Sequence, residues 1–178
     1  RLKNGQPAAA RTDYLWEIVC ERLTGQSAET GFLTAAMAWG TATEPVARVA
    51  YEAATGHLVD EVGLCVSTTG RIGSSVDGRV GAEGLVEIKC PTTKVHLANR
   101  RSPTVPPDYL PQLAHAFLVL PERDWCDWVS YDPRLPERLQ LVIRRVTRAQ
   151  AGVDAYGADL EQFLQDVEAA MADLEGAM

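Results

Sequence analysis

The chain has 178 residues, 46% of them apolar and 23% charged, with 17 Lys and Arg against 24 Asp and Glu for a net charge of −7. That apolar share is enough to bury a core within one domain, which excludes a disordered chain, and the acidic balance excludes a uniformly basic nucleic-acid binder. No apolar run approaches the roughly 20 residues of a membrane helix and no signal-like segment opens the chain, so a soluble, cytoplasmic protein with no membrane partner is expected.

Arg1 to Pro7 reads as a loop with no initiator Met, and a missing upstream segment is expected. Thr12 to Leu23 places Leu15, Ile18, Val19 and Leu23 on one helical stripe, with Gly25 as a stop. A second helical stretch runs from Thr34 to Ala54 and stops at Gly56. Pro45 inside it predicts a kink or a restart near Thr43-Glu44-Pro45. The period then changes. His57 to Val66, Arg71 to Val76 and Leu85 to Cys90 read as three strands of a meander, the last two joined by a glycine-rich turn from Gly78 to Gly84. After a short helix and a Pro-rich loop, Asp108 to Leu120 is a helix with Leu110, Leu113, Phe117 and Leu120 on its core face. Trp125 to Tyr131 and Leu139 to Val146 are two further strands, and Val153 to Leu174 is an acidic amphipathic helix. This order predicts a single α/β domain over residues 1–178, a mixed sheet flanked by helices.

The charge is unevenly spread: −3 over residues 1–93, +3 over 94–148 and −7 over 149–178. The basic middle holds Arg100, Arg101, Arg134, Arg138, Arg144, Arg145 and Arg148, and leaves room for a phosphate-facing surface. Cys20, Cys65, Cys90 and Cys126 form no C-x-x-C pair and sit in apolar stretches, so all four are expected to be buried free thiols. His57, His96 and His115 are isolated and read as structural, and Trp39 and Trp125 as core or interface aromatics.

One segment carries chemistry. In the strand Leu85 to Cys90, Glu87 and Lys89 are two residues apart and project from one face, while Val86 and Ile88 face the other. Asp77, at the end of the neighbouring strand of a hairpin, comes beside Glu87. Two adjacent carboxylates that both stay ionised call for a cation, and oxygen ligands without a Cys or His cluster select a hard one, Mg²⁺ or Mn²⁺. A lysine there can orient water or stabilise charge on a phosphate under attack. The plainer alternative is a surface salt bridge between Glu87 and Lys89 with Asp77 as a turn residue. Gln112 lies off the apolar stripe of its helix and shares a face with Tyr109, so it can point toward the same sheet.

Asp77 followed by Glu87-Ile88-Lys89 resembles the signature of the PD-(D/E)XK nucleases. Ser75-Val76-Asp77-Gly78 with Gly84 to Pro91 resembles more closely the YqaJ-type viral recombinase branch, the phage lambda exonuclease family. Three further blocks extend the likeness from about Ala9 to Leu174: Ala36 to Arg48, which places the family's additional acidic residue on Glu44, the Tyr109-Leu110-Pro111-Gln112 helix, and Trp128 to Arg134. Val76 stands where the family usually has Pro, and Ala114 where a second Gln often follows. The family's upstream elements that contact the DNA 5′ phosphate have no counterpart in this sequence.

The resemblance implies a restriction-endonuclease-like core and a Mg²⁺-dependent 5′→3′ exonuclease that degrades one strand of a duplex end, with Mn²⁺ able to substitute. By this likeness Asp77, Glu87, Glu44 and the main-chain carbonyl of Ile88 hold the metal. Lys89 polarises water and phosphate with help from Gln112, and Arg100, Arg101 and Tyr109 meet DNA. It also implies a homotrimer and a single-strand annealing protein as partner in recombination. An endonuclease of the same fold and a non-cutting DNA- or protein-binding module are the two alternatives.

Overall fold

A computed structural model describes residues 9–27 and 34–176. The chain divides into two compact units, Arg1–Phe32 with Ala158–Met178, and Leu33–Gly157. In the first, helix α1 (Ala9–Thr24) ends at Gly25, whose φ of 67° is the left-handed conformation that suits glycine. Val19 is buried in this unit, as is Val167 of the long C-terminal helix α7 (Val153–Gly176). Arg11 bonds Asp166 at 2.7 Å and lies over the Phe163 ring, which stacks on Tyr14 with centroids 5.7 Å apart.

In the second unit, α2 (Ala35–Thr55) starts where the Thr34 hydroxyl accepts from the Met37 amide at 3.1 Å, and stops at Gly56, φ 73°. Of the kink or restart expected near Thr43-Glu44-Pro45, the restart does not occur: α2 is continuous across Pro45. Pro45 and Thr41, whose carbonyl loses its helical partner, are both on the exposed side, where solvent replaces the missing bond. Trp39, Thr43, Ala47 and Tyr51 recur every four residues along the helix, and the last three are buried.

The expected three-strand meander does not form. β1 (Leu64–Val66) and β2 (Gly73–Ser75) pair only with each other, as a separate antiparallel ribbon. Gly78-Arg79-Val80, expected inside a turn, is instead strand β3 (Gly78–Val80), antiparallel to β4 (Gly84–Lys89). The glycine at position 78 serves close packing and not turn geometry: a Cβ there would lie 2.2 Å from Val59 Cγ1. The true turn is Gly81-Ala82-Glu83, with Gly81 at φ 56°. β5 (Trp125–Tyr131) runs parallel to β4, and β6 (Leu141–Thr147) antiparallel to β5, giving a mixed sheet in the order β3-β4-β5-β6.

A parallel pair needs a crossover. It is supplied by α3 (Thr93–Arg101), a 3₁₀ turn (Pro107–Tyr109) and α4 (Leu110–Val119). On one face of the sheet Leu85, Cys126 and Trp128 pack with Leu113 and Phe117 of α4. On the other, Val86, Ile88, Val129 and Tyr131 pack with Ala47 and Tyr51 of α2. A short helix α5 (Glu137–Gln140) fills the β5–β6 turn, and α6 (Arg148–Ala151) begins at a Thr147–Gln150 capping box. Among the cysteines only Cys126 is buried; Cys20 is exposed and Cys65 and Cys90 are half-buried, all as free thiols. Cys20 shares α1 with the apolar stripe but points off it, which is why its apolar neighbours misread as burial.

Gly84 is hemmed in by both ring and backbone: a Cβ there would lie 2.4 Å from two Trp125 ring carbons and 2.7 Å from the Val80 carbonyl oxygen. Gly84→Ala is therefore expected to cost about 1–3 kcal/mol of stability through overpacking. Urea denaturation would register it as a lower midpoint at unchanged slope.

Candidate active site

β4 is enclosed by β3 and β5, so the residues along it are buried through Ile88, including Glu87. Two-residue alternation puts Leu85, Glu87 and Lys89 on the α4 face. The Gly78↔Val86 register then sets Asp77, one residue before β3, opposite Glu87. Asp77 Oδ2 accepts the Ile88 amide at 2.6 Å, which pins its carboxylate against β4.

Glu87 Oε1 takes two donors, Lys89 Nζ at 2.5 Å and Gln112 Nε2 at 2.6 Å. Gln112 reaches it from the first turns of α4, whose Leu113 and Phe117 stripe is anchored in the core below. Among the described residues no donor reaches the other oxygen, Oε2. Tyr109 lies half-buried beside this group, its ring 5.3 Å from that of Trp128 and 5.7 Å from Lys89 Nζ. Glu44, on the side of α2 next to the buried stripe, is held by Arg48 one turn on at 2.9 Å, and Arg48 also pairs with Glu61.

The electrostatics are those of crowded acids. Burial and the charge of Glu87 push the Asp77 carboxyl up to about 6. Burial also raises Glu87, against the pull of Lys89 and Gln112, and burial and Asp77 raise Glu44. For Lys89, burial disfavours the ammonium, but the Glu87 carboxylate, their hydrogen bond and Asp77 outweigh it and hold its pKa above the usual lysine value. Lys89 is thus a charge and a donor at neutral pH, not a base.

A cation would relieve this repulsion. Among the described residues no group of three or more His, Cys, Asp or Glu side chains closes into a metal cage. Mg²⁺ does not need one: it is ordinarily held by one or two carboxylates, retained waters and substrate phosphates. The all-oxygen donor set of Asp77 and Glu87, with Glu44 electrostatically linked to both, fits a hard divalent cation.

Of the residues singled out in the sequence, Asp77, Glu87, Lys89, Gln112 and Tyr109 come together, and Glu44 faces the group electrostatically. Arg100 and Arg101 lie apart on α3; Arg100 donates to the Leu141 carbonyl at 3.3 Å and Arg101 is exposed. Much of the basic middle is tied up structurally. Arg145 makes a two-point pair with the buried Asp127 at 2.8 Å, Asp127 also accepting from Tyr51, while Arg144 and Arg148 donate to main-chain carbonyls. Trp125 lies beneath Arg145, 3.5 Å from ring centroid to guanidinium. His96 is buried between Ser130 and the Leu139 carbonyl, and His115 meets Gly73 and Tyr156. Arg48 was missed in the sequence, although its four-residue spacing from Glu44 is the signal for a helix-face pair.

Known proteins carry the same arrangement of elements. The chain is 38% identical to an alkaline exonuclease (LHK-Exo) from Laribacter hongkongensis, over 97% of this chain and 87% of that one, with a TM-score of 0.86. The structure of LHK-Exo in complex with dAMP matches equally, at a TM-score of 0.86. A phage related exonuclease from Haemophilus somnus 129PT shares the fold at 12% identity and a TM-score of 0.67, over 97% of this chain and 87% of that one. No curated protein matches the sequence. Residues 3–120, which include Glu44, Asp77, Glu87, Lys89 and Gln112, match the model of the YqaJ-like viral recombinase domain, and the chain belongs to that family.

Proposed function

We propose that the protein is a Mg²⁺-dependent exonuclease that digests one strand of a double-stranded DNA end in the 5′→3′ direction, leaving 3′ single-stranded tails. It is a phosphodiester hydrolase with a restriction-endonuclease-like core, and residues 1–178 act as one nuclease domain. The observation that carries this reading is the buried Glu87 carboxylate, with Lys89 and Gln112 on one oxygen and the Asp77 carboxylate held across from it.

Asp77 and Glu87 would hold the metal, with Glu44 and the Ile88 carbonyl as further ligands. When bound, Mg²⁺ supplies Lewis-acid activation of water and neutralises phosphate charge. The protein's own groups do the remaining work. Lys89 directs its free N–H donors at the attacking water and the phosphate oxygen, where charge builds in the transition state. Gln112 fixes the Glu87 rotamer, so that Oε2 keeps its direction. Arg48 does the same for Glu44. Arg100, Arg101 and Tyr109 would contact the DNA, the protein would work as a homotrimer in the cytoplasm, and a single-strand annealing protein would take up the tails it makes.

Glu44→Gln is expected to slow digestion, or raise the Mg²⁺ concentration needed, by at least about tenfold, the low end for losing an interaction around a metal. Mg²⁺ titration of the cleavage rate measures it; an unchanged titration makes Glu44 a helix-surface residue. The function itself is tested by incubating linear and covalently closed circular duplexes, with and without a 5′ phosphate, in Mg²⁺ and in EDTA. Digestion confined to linear DNA in Mg²⁺ supports the reading. Opening of the circle makes the protein an endonuclease, and binding without cutting makes it a nuclease-like module.

A further inference from the structure

Beyond the carboxylates, the C-terminal ends of β4 and β5 carry a second polar group built around Arg134. Its guanidinium is gripped on one edge by Asp132, which is fully buried: Nε donates to Oδ1 at 2.7 Å and one terminal nitrogen to Oδ2 at 3.0 Å. That same nitrogen also donates to the Pro91 carbonyl at 3.2 Å, two residues beyond Lys89. The guanidinium carbon lies over the Trp39 ring, 4.5 Å from its centroid. These contacts fix the position and the in-plane direction of the guanidinium.

They do not use all of it. A guanidinium has five N–H donors, and the edge, the carbonyl and the ring account for Nε and one terminal nitrogen. The other terminal nitrogen has no acceptor among the described residues, and the side chain is 46% exposed. Here a fully charged, immobilised donor pair is left facing solvent, which is the preorganised form of a phosphate or carboxylate receptor.

Its place in the fold says which ligand it meets. β4 and β5 run parallel with Lys89 opposite Ser130, so the chain leaves both strands at the same end of the sheet, and Arg134 ties the two exits together by its bond to the Pro91 carbonyl. Arg134 therefore stands at the end of the sheet where Lys89 lies. A DNA strand whose scissile phosphate lay at Asp77 and Glu87 would present a neighbouring backbone phosphate on that side.

We infer that Arg134, clamped by Asp132 and seated on Trp39, is a backbone-phosphate receptor that fixes the register of the DNA strand beside the catalytic carboxylates. The inference rests on the exonuclease reading for its ligand and not for its geometry. Binding is therefore the readout, measured without cleavage. In an Asp77→Asn background, fluorescence anisotropy with a labelled duplex carrying a 3′ single-stranded tail is followed over a range of NaCl concentrations. Arg134→Gln is expected to weaken binding about tenfold and to flatten the slope of log affinity against log salt by about 0.7–0.9, the share of one phosphate contact. Arg134→Lys, which keeps the charge but loses the flat edge and the stacking, should keep the slope and bind about threefold more weakly.

Unchanged affinity and slope in folded Arg134→Gln overturn the inference and leave Arg134 a structural tie between Asp132 and Pro91. Should Arg134→Gln fail to fold, Arg134→Lys decides, and wild-type affinity in it overturns the inference as well. If the wild-type chain binds DNA but does not cut, the exonuclease reading fails, while a flattened slope in Arg134→Gln still supports the phosphate receptor.

Discussion

Asp77→Asn is expected to reduce DNA cleavage at least about a thousandfold, the loss of roughly 4 kcal/mol of transition-state stabilisation, while making the metal-free protein more stable at neutral pH. The first half follows from removing one of two carboxylates that face each other across the β3–β4 hairpin. The second follows from the sign of the shift. The Asp77 carboxyl is pushed up to about 6, above its ordinary unfolded value, by burial and by Glu87. Between those two values the folded state holds its proton more tightly than the unfolded chain does, so stability falls as pH rises through that window and the full cost is present above about pH 6. A neutral amide avoids that cost and still offers the oxygen that accepts the Ile88 amide. The gain should be about 1–3 kcal/mol at neutral pH and vanish near pH 4. Thermal melts in EDTA at the two pH values measure it. A variant that cleaves at the wild-type rate removes Asp77 from the site, and one that melts lower at both pH values removes the repulsion argument.

Lys89→Ala should lower the cleavage rate about a hundred- to ten-thousandfold, the range for losing a positioned donor or proton-transfer group, and yet retain Mg²⁺ binding by calorimetry. Its ammonium contacts Glu87 through one oxygen only, and Gln112 remains on that oxygen after the lysine is gone. The carboxylate therefore keeps a partner and its direction. Lys89→Arg should recover little, because a planar fork does not fit between Glu87 and the Tyr109 ring where a compact ammonium does. A rate within tenfold of wild type in Lys89→Ala would leave the lysine as a counter-ion for Glu87.

The residues differ in how legible they were. Glu87 and Lys89 declare themselves because two charges at a two-residue spacing in an apolar strand have no ordinary reason to be there. Gln112 was legible as a polar residue off an apolar helical stripe. Glu44 was not, since an acidic residue on a helix looks the same whether it faces solvent or a metal; only the likeness of the surrounding block to a family singles it out. β3 was hidden for a physical reason as well. Gly78 looks like a turn residue, and the contact that requires glycine there, with Val59, comes from a segment with no regular structure to announce it. Arg144, Arg145 and Arg148 read as one basic patch, whereas their alternation along β6 and into α6 sends them to different partners, a buried aspartate and main-chain carbonyls. Charge counts locate such residues in the chain but do not tell which of them the fold has already used.

β4 has two neighbours reached in very different ways. β3 joins it through the tight turn Gly81-Ala82-Glu83, a hairpin that forms in about 1–10 μs once its strands meet. β5 joins it only after the whole α3–α4 crossover has been brought round, a long loop closure of the kind that slows folding. Asp77, Glu87 and Lys89 all ride on the fast element, and Gln112 on the slow one. The acidic pair and its lysine thus depend on a local closure of the chain, and the glutamine that orients the buried carboxylate on a long-range one.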